Sequence, residues 1–139
     1  MDREPQIKSL DEWLAEKRLA LPGRLSPEEA LGEMCQGAKL IDTRTLEQRQ
    51  ADGIIPGALE IGLNILPWRC HPQSTHRHTE IDPDDFDQRL IILCNQGYSS
   101  SIAAHSLQEL GLTNVTDVDG GFEAWRASGL PWLPYPEEG

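Results

Sequence analysis

The sequence predicts an α/β fold in which a mostly parallel central sheet is flanked by helices on both faces. Short apolar runs rich in β-branched residues, such as Leu90–Leu93, have the composition of strands that are covered on both sides. Segments with helical spacing of apolar residues lie between these runs, as expected where helices connect parallel strands. The 139 residues are enough for one domain with its own core.

Capping signals predict two helices near the N-terminus. Residues 9–21 open with Ser-Leu-Asp-Glu and carry apolar residues at roughly helical spacing, which indicates a short amphipathic leading helix. Its apolar face either packs on the domain or presents a partner-binding surface. After a short edge strand at residues 24–25, residues 26–36 have an N-cap serine, a proline and then a glutamate, as a helix start should. Cys35, in the last turn, is expected to pack in the core.

The middle of the chain alternates strands with less regular segments. We predict strands at residues 38–41 and 58–61, with a helix at 47–51 and a turn at 53–57 between them. Residues 64–83 are polar and rich in histidine, and we expect them to form a loop over the active-site edge of the sheet. Four side chains in this loop are potential metal ligands, namely Cys70, His71, His76 and His78. Their spacing matches no familiar zinc pattern, so we expect no metal there.

The C-terminal third completes the domain. An acidic connector leads into the strand Leu90–Leu93, and a further strand is predicted at residues 114–118, followed by a helix around 123–127. Prolines should keep the tail extended. We therefore divide the chain into a leading helix and linker (1–23), the main domain (24–133) and an extended tail (134–139).

The most informative stretch is residues 89–111, which we interpret as strand, loop and helix. Cys94 follows the strand, and six polar or small residues separate it from the helical pattern. This position is where open α/β sheets place their ligand sites, at the carboxyl ends of strands. A thiolate beside a helix N-terminus should have a depressed pKa, and Gly97 lets the loop turn so that several N–H groups converge on one anion. The alternative is an inert, buried structural cysteine.

Four motifs give the sequence a family resemblance. Cys94-Asn95-Gln96-Gly97-Tyr98-Ser99-Ser100 resembles the C-x-x-G-x-S/T/R active-site loop of small, single-domain rhodanese-like sulfurtransferases. Leu-Ile-Asp-Thr-Arg at residues 40–44, with a glutamate following, resembles the family's L-[IL]-D-x-R…E segment. Gly-Ile-Ile-Pro-Gly-Ala at 53–58 is similar to its G-H-I-P-G-A turn, with Ile54 where histidine is usual. Gly-Gly-Phe-Glu-Ala-Trp at 120–125, followed by Gly-Leu-Pro, resembles its C-terminal segment.

The resemblance implies a chemistry and a set of site residues. Cys94 would take a sulfane sulfur from a donor such as thiosulfate, become a persulfide, and pass the sulfur to cyanide or a small thiol by a ping-pong mechanism without a cofactor. Asp42 and Arg44 would support the active-site edge. The loop that binds the donor and the persulfide would consist of Asn95, Gln96, Gly97, Tyr98, Ser99 and Ser100.

Two other classes of protein are alternatives to a sulfurtransferase. A rhodanese-like module can be non-catalytic and serve protein interaction or redox sensing, although the intact Cys94 favours catalysis. Cysteine phosphatases use a C-x-x-x-x-x-R loop, but the sixth residue after Cys94 is Ser100, so the arginine fork that stabilises a transferring phosphoryl group is missing.

Charge and cysteine content limit the kinds of partner and the compartment that we expect for this protein. The net charge of −11 disfavours binding to nucleic acid or to an anionic membrane, which leaves small-molecule sulfur donors and acceptors, while no protein partner can be identified. The N-terminal residues lack a signal-peptide pattern, and three irregularly spaced cysteines do not suggest disulfides, so we expect a cytoplasmic protein. Because the loop after Cys94 contains no cation, Arg69 is a candidate for binding an anionic donor; the alternative is a solvated surface arginine paired with a nearby carboxylate.

Overall fold

A four-stranded parallel sheet forms the centre of the fold in the computed structural model, which describes residues 7–137. The strands are β1 (Lys39–Asp42), β2 (Leu59–Glu60), β3 (Leu90–Leu93) and β4 (Val115–Asp117), in the spatial order β2-β1-β3-β4. All three pairings are parallel, so the carboxyl ends of the strands lie along one edge of the sheet. The predicted α/β class with a parallel sheet is confirmed.

Six α-helices and one 3₁₀ turn surround the sheet in the described part of the chain. The helices are α1 (Leu10–Leu19), α2 (Pro27–Met34), α3 (Leu46–Asp52), α4 (Leu66–Cys70), α5 (Ser99–Glu109) and α6 (Gly121–Ala127), with the 3₁₀ turn at Leu63–Ile65. Capping explains where α2 begins, because Ser26 and Glu29 satisfy each other's backbone N–H groups reciprocally. The predicted edge strand at residues 24–25 is reduced to a single parallel bridge between Leu25 and Val118.

Alternate strand residues enter two separate cores, because successive side chains of a strand point to opposite faces. On one face the buried residues from the sheet, α2 and α6 include Leu40, Ile91, Leu93, Ala30, Phe122 and Trp125. On the other face the buried residues from the sheet, α4 and α5 include Ile41, Leu90, Ile92, Leu66, Cys70, Ala104 and Leu107. The helices therefore cover both faces of the sheet, as the sequence predicts.

The leading helix α1 lies against α5, yet none of its residues is buried. Its apolar residues Leu10 and Trp13 remain exposed and line a groove of about 740 Å³ between α1, α4 and α5. The groove borders the active-site loop at Tyr98 and Ser99. Helix α1 therefore packs on the domain, although its apolar residues are only partly covered.

Two expectations were wrong. Cys35 is exposed at the C-cap of α2 and does not pack in the core, since the helix ends with that residue turned to solvent. Part of the predicted loop at 64–83 is helical, and Cys70 closes α4 with its side chain fully buried among apolar residues. The first six and last two residues of the predicted leading segment and tail lie outside the described residues. None of the described helices is long and apolar enough to cross a membrane.

Candidate active site

Cys94 lies immediately after β3, at the edge where the parallel strands end. The loop that follows it leads into α5, so the sulfur faces the N-terminal turn of that helix. Two backbone N–H groups donate to Sγ: that of Gly97 at an N···S distance of 3.1 Å and that of Ser100 at 3.4 Å. The local sequence therefore produces an amide cradle around a single cysteine sulfur.

Glycines allow this loop to pack closely against the start of α6. Gly97 has a φ of +87°, and a Cβ there would lie 2.7 Å from the backbone nitrogen of Gly120. Gly121 has a φ of +62°, and a Cβ there would lie 2.5 Å from the carbonyl oxygen of Cys94. That close approach lets the N–H of Phe122 donate to the Cys94 carbonyl. The Gly-Gly pair in the sequence thus fixes the back of the loop.

Hydrogen bonding shifts the acidity of the Cys94 thiol. Burial raises its pKa, but hydrogen bonds from the side chains of Ser100 and Ser99 and from the amides of Ser100 and Gly97 outweigh burial, so the pKa lies below the ordinary value. At Cys70 burial outweighs the opposing effect of the Arg69 charge and raises the pKa to about 12. Cys94 is therefore the cysteine suited to act as a thiolate, and Cys70 is a protonated core residue.

The hydroxyl of Ser100 is shared between two acceptors. Its oxygen lies 2.7 Å from Oδ2 of Asp117, which is fully buried at the end of β4 and also accepts from Ser101. One hydroxyl carries one proton, so Ser100 donates to the sulfur only when it turns away from that carboxylate. The backbone amide of Ser100 points to Sγ in either case.

A buried ion pair holds the turn after β1, beside the cysteine. Arg44 donates from Nε and Nη2 to the two carboxylate oxygens of Asp42, at 3.1 and 2.8 Å, and from Nη2 to the carbonyl of Gly53. Its guanidinium lies 3.8 Å from the centre of the Phe122 ring. Phe122 in turn supports the carbonyl of Cys94. The pair therefore connects the β1 turn with the base of the active-site loop.

The sulfur opens into a pocket of about 700 Å³. The loop contributes Cys94, Asn95, Gln96, Tyr98 and Ser99 to its lining, and the residues after β1 and β2 supply the opposite wall. That wall includes Arg49, whose guanidinium donates to the carbonyl of Arg44 and lies 3.5 Å from Glu60. A cation that the sequence did not single out therefore stands in the same pocket as the cysteine.

Arg69 does not line this pocket. It lies on α4, where Nη1 donates to the carbonyl oxygen of His76. Its environment is that of a surface arginine, with a carbonyl as partner in place of the carboxylate we considered. The sequence placed Arg69 near the site because it follows β2, but the 3₁₀ turn and α4 lead the chain elsewhere.

The histidine-rich segment does not converge on a common centre. No group of three or more potential ligands is found among residues 7–137. His71 and His78 each accept a backbone hydrogen bond at Nδ1, from Gln73 and Glu80, and Cys70 is held protonated in the core. That this segment binds no metal remains a prediction.

Three charged residues behind the loop escaped sequence reasoning. Arg18 and Arg24 both donate to the carbonyl oxygen of Gly97, and Asp117 binds Arg24 and the two serines of α5. The available signals were Asp117, a charged residue within a predicted strand, and the two adjacent serines Ser100 and Ser101 at the start of a predicted helix. Such long-range pairs have no local periodicity, so spacing alone could not reveal them.

Cys94 thus lies in an amide cradle at the carboxyl edge of a parallel sheet, an arrangement that can hold an anionic sulfur. The chain belongs to the rhodanese-like domain family, whose model matches residues 26–128. It is 34% identical over 115 residues to the thiosulfate sulfurtransferase GlpE of Pseudomonas savastanoi pv. phaseolicola, covering 83% of this chain and 92% of that protein. A GlpE of Pseudomonas entomophila is 35% identical over 106 residues, covering 76% and 85% respectively.

Solved structures show the same architecture. A protein of unknown function from Rhodopseudomonas palustris, described as a possible tyrosine phosphatase, superposes with a TM-score of 0.79 at 25% identity and covers 96% of this chain and 100% of its own. The human single-domain sulfurtransferase TSTD1 superposes with a TM-score of 0.61 at 25% identity, covering 75% of this chain and 95% of its own. The rhodanese-like fold is therefore confirmed.

Proposed function

We propose that this protein is a sulfurtransferase that moves a sulfane sulfur from thiosulfate or a similar donor to a thiophilic acceptor through a persulfide on Cys94. The observation that carries the proposal is the Cys94 sulfur, which accepts hydrogen bonds from the amides of Gly97 and Ser100 at the floor of an open pocket. The relatives named thiosulfate sulfurtransferase support the same activity. A reducing compartment such as the cytoplasm would keep the thiol available.

The first half-reaction loads the cysteine. The Cys94 thiolate attacks the outer sulfur of thiosulfate, the sulfur–sulfur bond of the donor breaks, and sulfite leaves with the bonding electron pair. The resulting persulfide is itself an anion. Preorganised loop amides stabilise it, because they require no rearrangement when the charge moves to the outer sulfur.

The second half-reaction discharges the sulfur. Cyanide attacks the outer sulfur of the persulfide, thiocyanate leaves, and the Cys94 thiolate is restored; a small thiol would act in the same way and become a persulfide itself. We assign the loop residues Asn95 to Ser100 to binding of the donor and the persulfide. Asp42 and Arg44 support the loop from below through Phe122, and take no part in the chemistry.

The site also bears on the alternatives. A phosphatase would need an arginine fork where Ser100 stands, and the Ser100 side chain is a neutral hydroxyl that hydrogen-bonds to Asp117. A non-catalytic module has no need of a cysteine whose sulfur accepts two amide hydrogen bonds and whose pKa lies below the ordinary value. Both observations favour sulfur transfer.

Initial-rate kinetics test the mechanism. Because one cysteine carries the sulfur between two substrates, we expect double-reciprocal plots for thiosulfate at several fixed cyanide concentrations to be parallel. Lines that intersect to the left of the axis would mean that both substrates bind before any product leaves, and the persulfide mechanism would be wrong.

The pocket cation gives a second prediction. Thiosulfate is a dianion and the chain carries a net charge of −11, so a local cation should aid donor binding. We expect Arg49→Ala to raise KM for thiosulfate by roughly tenfold, which corresponds to ~1.4 kcal/mol, with a smaller effect on a neutral sulfane donor. Arg69→Ala is the matched control, because it removes the same charge from α4 outside the pocket. Equal changes in KM for the two variants would assign the effect to net charge and exclude a role for Arg49 in the pocket.

A further inference from the structure

The carbonyl oxygen of Gly97 is held by two guanidinium groups. Arg18 donates to it from Nη2 at 2.7 Å, and Arg24 donates from its own Nη2 at 3.0 Å. Arg18 lies in the last turn of α1 and Arg24 in the segment that follows, so both precede residue 26, where the match to the family model begins. The N-terminal segment therefore contacts the active-site loop directly.

This contact orients one peptide group of the cradle. The peptide bond between Gly97 and Tyr98 is trans, as are all those in the described residues, so its C=O and N–H point in opposite directions. Because the oxygen points to the two arginines, the N–H of Tyr98 points away from them. The N–H of Gly97 itself donates to the Cys94 sulfur at 3.1 Å.

Two other carbonyls of the loop, those of Cys94 and Asn95, have backbone donors. The N–H groups of Phe122 and Glu123, in the first turn of α6, donate to the carbonyls of Cys94 and Asn95. In the described part of the chain no backbone N–H donates to the carbonyl of Gly97. Its only hydrogen-bond partner there besides the two arginines is the Ser101 hydroxyl, at 3.5 Å. The two arginines therefore supply the hydrogen-bond donors for the carbonyl of Gly97, as the amides of α6 do for the carbonyls of Cys94 and Asn95.

A buried acidic residue, Asp117, binds Arg24 directly and is connected to Arg18 through Ser101 of α5. Arg24 makes a two-pronged contact with Asp117, from Nε at 2.9 Å and Nη2 at 3.1 Å, and Asp117 also accepts from Ser100 and Ser101. Arg18 donates from Nε to the Ser101 hydroxyl at 3.0 Å. Such planar, two-pronged contacts set an angle as well as a distance, which a lysine cannot do.

We propose that Arg18 and Arg24 are positioning residues, whose guanidinium groups fix the Gly97–Tyr98 peptide so that the loop amides stay directed at the Cys94 sulfur. Helix α1 then contributes to the active site through Arg18, which positions the loop. Their positive charge also lies behind a loop that must hold an anion. This inference deepens the proposed function and rests on it only in naming the persulfide as the species stabilised.

The test measures the reactivity of Cys94 without any sulfur donor. In a Cys35→Ser background, the rate of Cys94 alkylation by iodoacetamide is followed against pH for the parent and for Arg18→Met, with the modified residue identified by mass spectrometry. Removing the Arg18 guanidinium should raise the pKa of Cys94, so the midpoint of the profile should move upward by about one pH unit. We also expect turnover with thiosulfate and cyanide to fall by about tenfold.

Two further variants make the result specific. Lys17→Met removes the same charge from the neighbouring position of α1, whose side chain makes no hydrogen bond in the described structure, and should leave the midpoint unchanged. Arg18→Lys keeps the charge but has a single donor nitrogen in place of the planar fork, and should fall between the parent and Arg18→Met; it also serves if the methionine variant does not fold. An unchanged midpoint in Arg18→Met and Arg18→Lys, or an equal shift in Lys17→Met, would overturn the proposal. If the parent forms no persulfide with thiosulfate, the proposed function fails, but the alkylation profiles still decide whether Arg18 positions the loop amides around the Cys94 sulfur.

Discussion

Replacing Cys94 with serine is expected to reduce thiosulfate:cyanide turnover by a factor on the order of 10³ or more, while the protein remains folded. The hydroxyl has a much higher pKa than a thiol and cannot carry a sulfane sulfur, so neither half-reaction can proceed through it. The serine side chain is nearly the same size as the cysteine side chain, and it can accept the hydrogen bonds that Gly97 and Ser100 now donate to Sγ. Steady-state rates and a thermal melt measure the two quantities.

The exposed cysteine, Cys35, provides the control. Cys35→Ser should leave turnover unchanged, because Cys35 is exposed at the end of α2 and away from the pocket. Turnover of Cys94→Ser at a rate near that of the parent would show that another group carries the sulfur.

The second large effect concerns stability. Asp42→Ala should lower the free energy of unfolding by about 3–5 kcal/mol, because it leaves the guanidinium of Arg44 buried without its counterion. Both side chains of the pair are essentially inaccessible to solvent, so water cannot take the place of the carboxylate. Urea unfolding followed by circular dichroism measures the change.

An exposed ion pair is the matched control. Glu16 bonds to Lys8 at 2.7 Å, with about half of each side chain open to solvent. We expect Glu16→Ala to cost less than about 0.5 kcal/mol. Similar losses for the two variants would mean that the Asp42–Arg44 pair is no more important to the fold than a surface contact.

Local patterns in the sequence were sufficient for the elements that build the site. The apolar run before Cys94 and the polar, glycine-containing loop after it predicted a strand and a helix N-terminus, because both signals act within a few residues. The capping residue Ser26 placed the start of α2 correctly for the same reason. Residue preference was a weaker guide: Cys35 and Cys70 have the same tendency to be buried, yet only Cys70 is, because the fold turns the end of α2 to solvent.

Interactions between distant parts of the chain could not be predicted. Arg18 is 79 residues from Gly97, and no pattern connects a helix outside the main domain with one carbonyl oxygen of the loop. The choice between Arg49 and Arg69 as the pocket cation depended on where the chain goes after β2. The short turn and α4, where we predicted a loop, carry Arg69 away from the pocket.

The central claim is that Cys94 carries the transferred sulfur, and mass spectrometry of the intact protein after brief mixing with thiosulfate tests it most directly. We predict that the protein gains the mass of one sulfur atom, that peptide mapping places the gain on Cys94, and that cyanide removes it with release of thiocyanate. A protein that turns over thiosulfate and cyanide without gaining this mass, or that gains it on Cys35 or Cys70, would contradict the account.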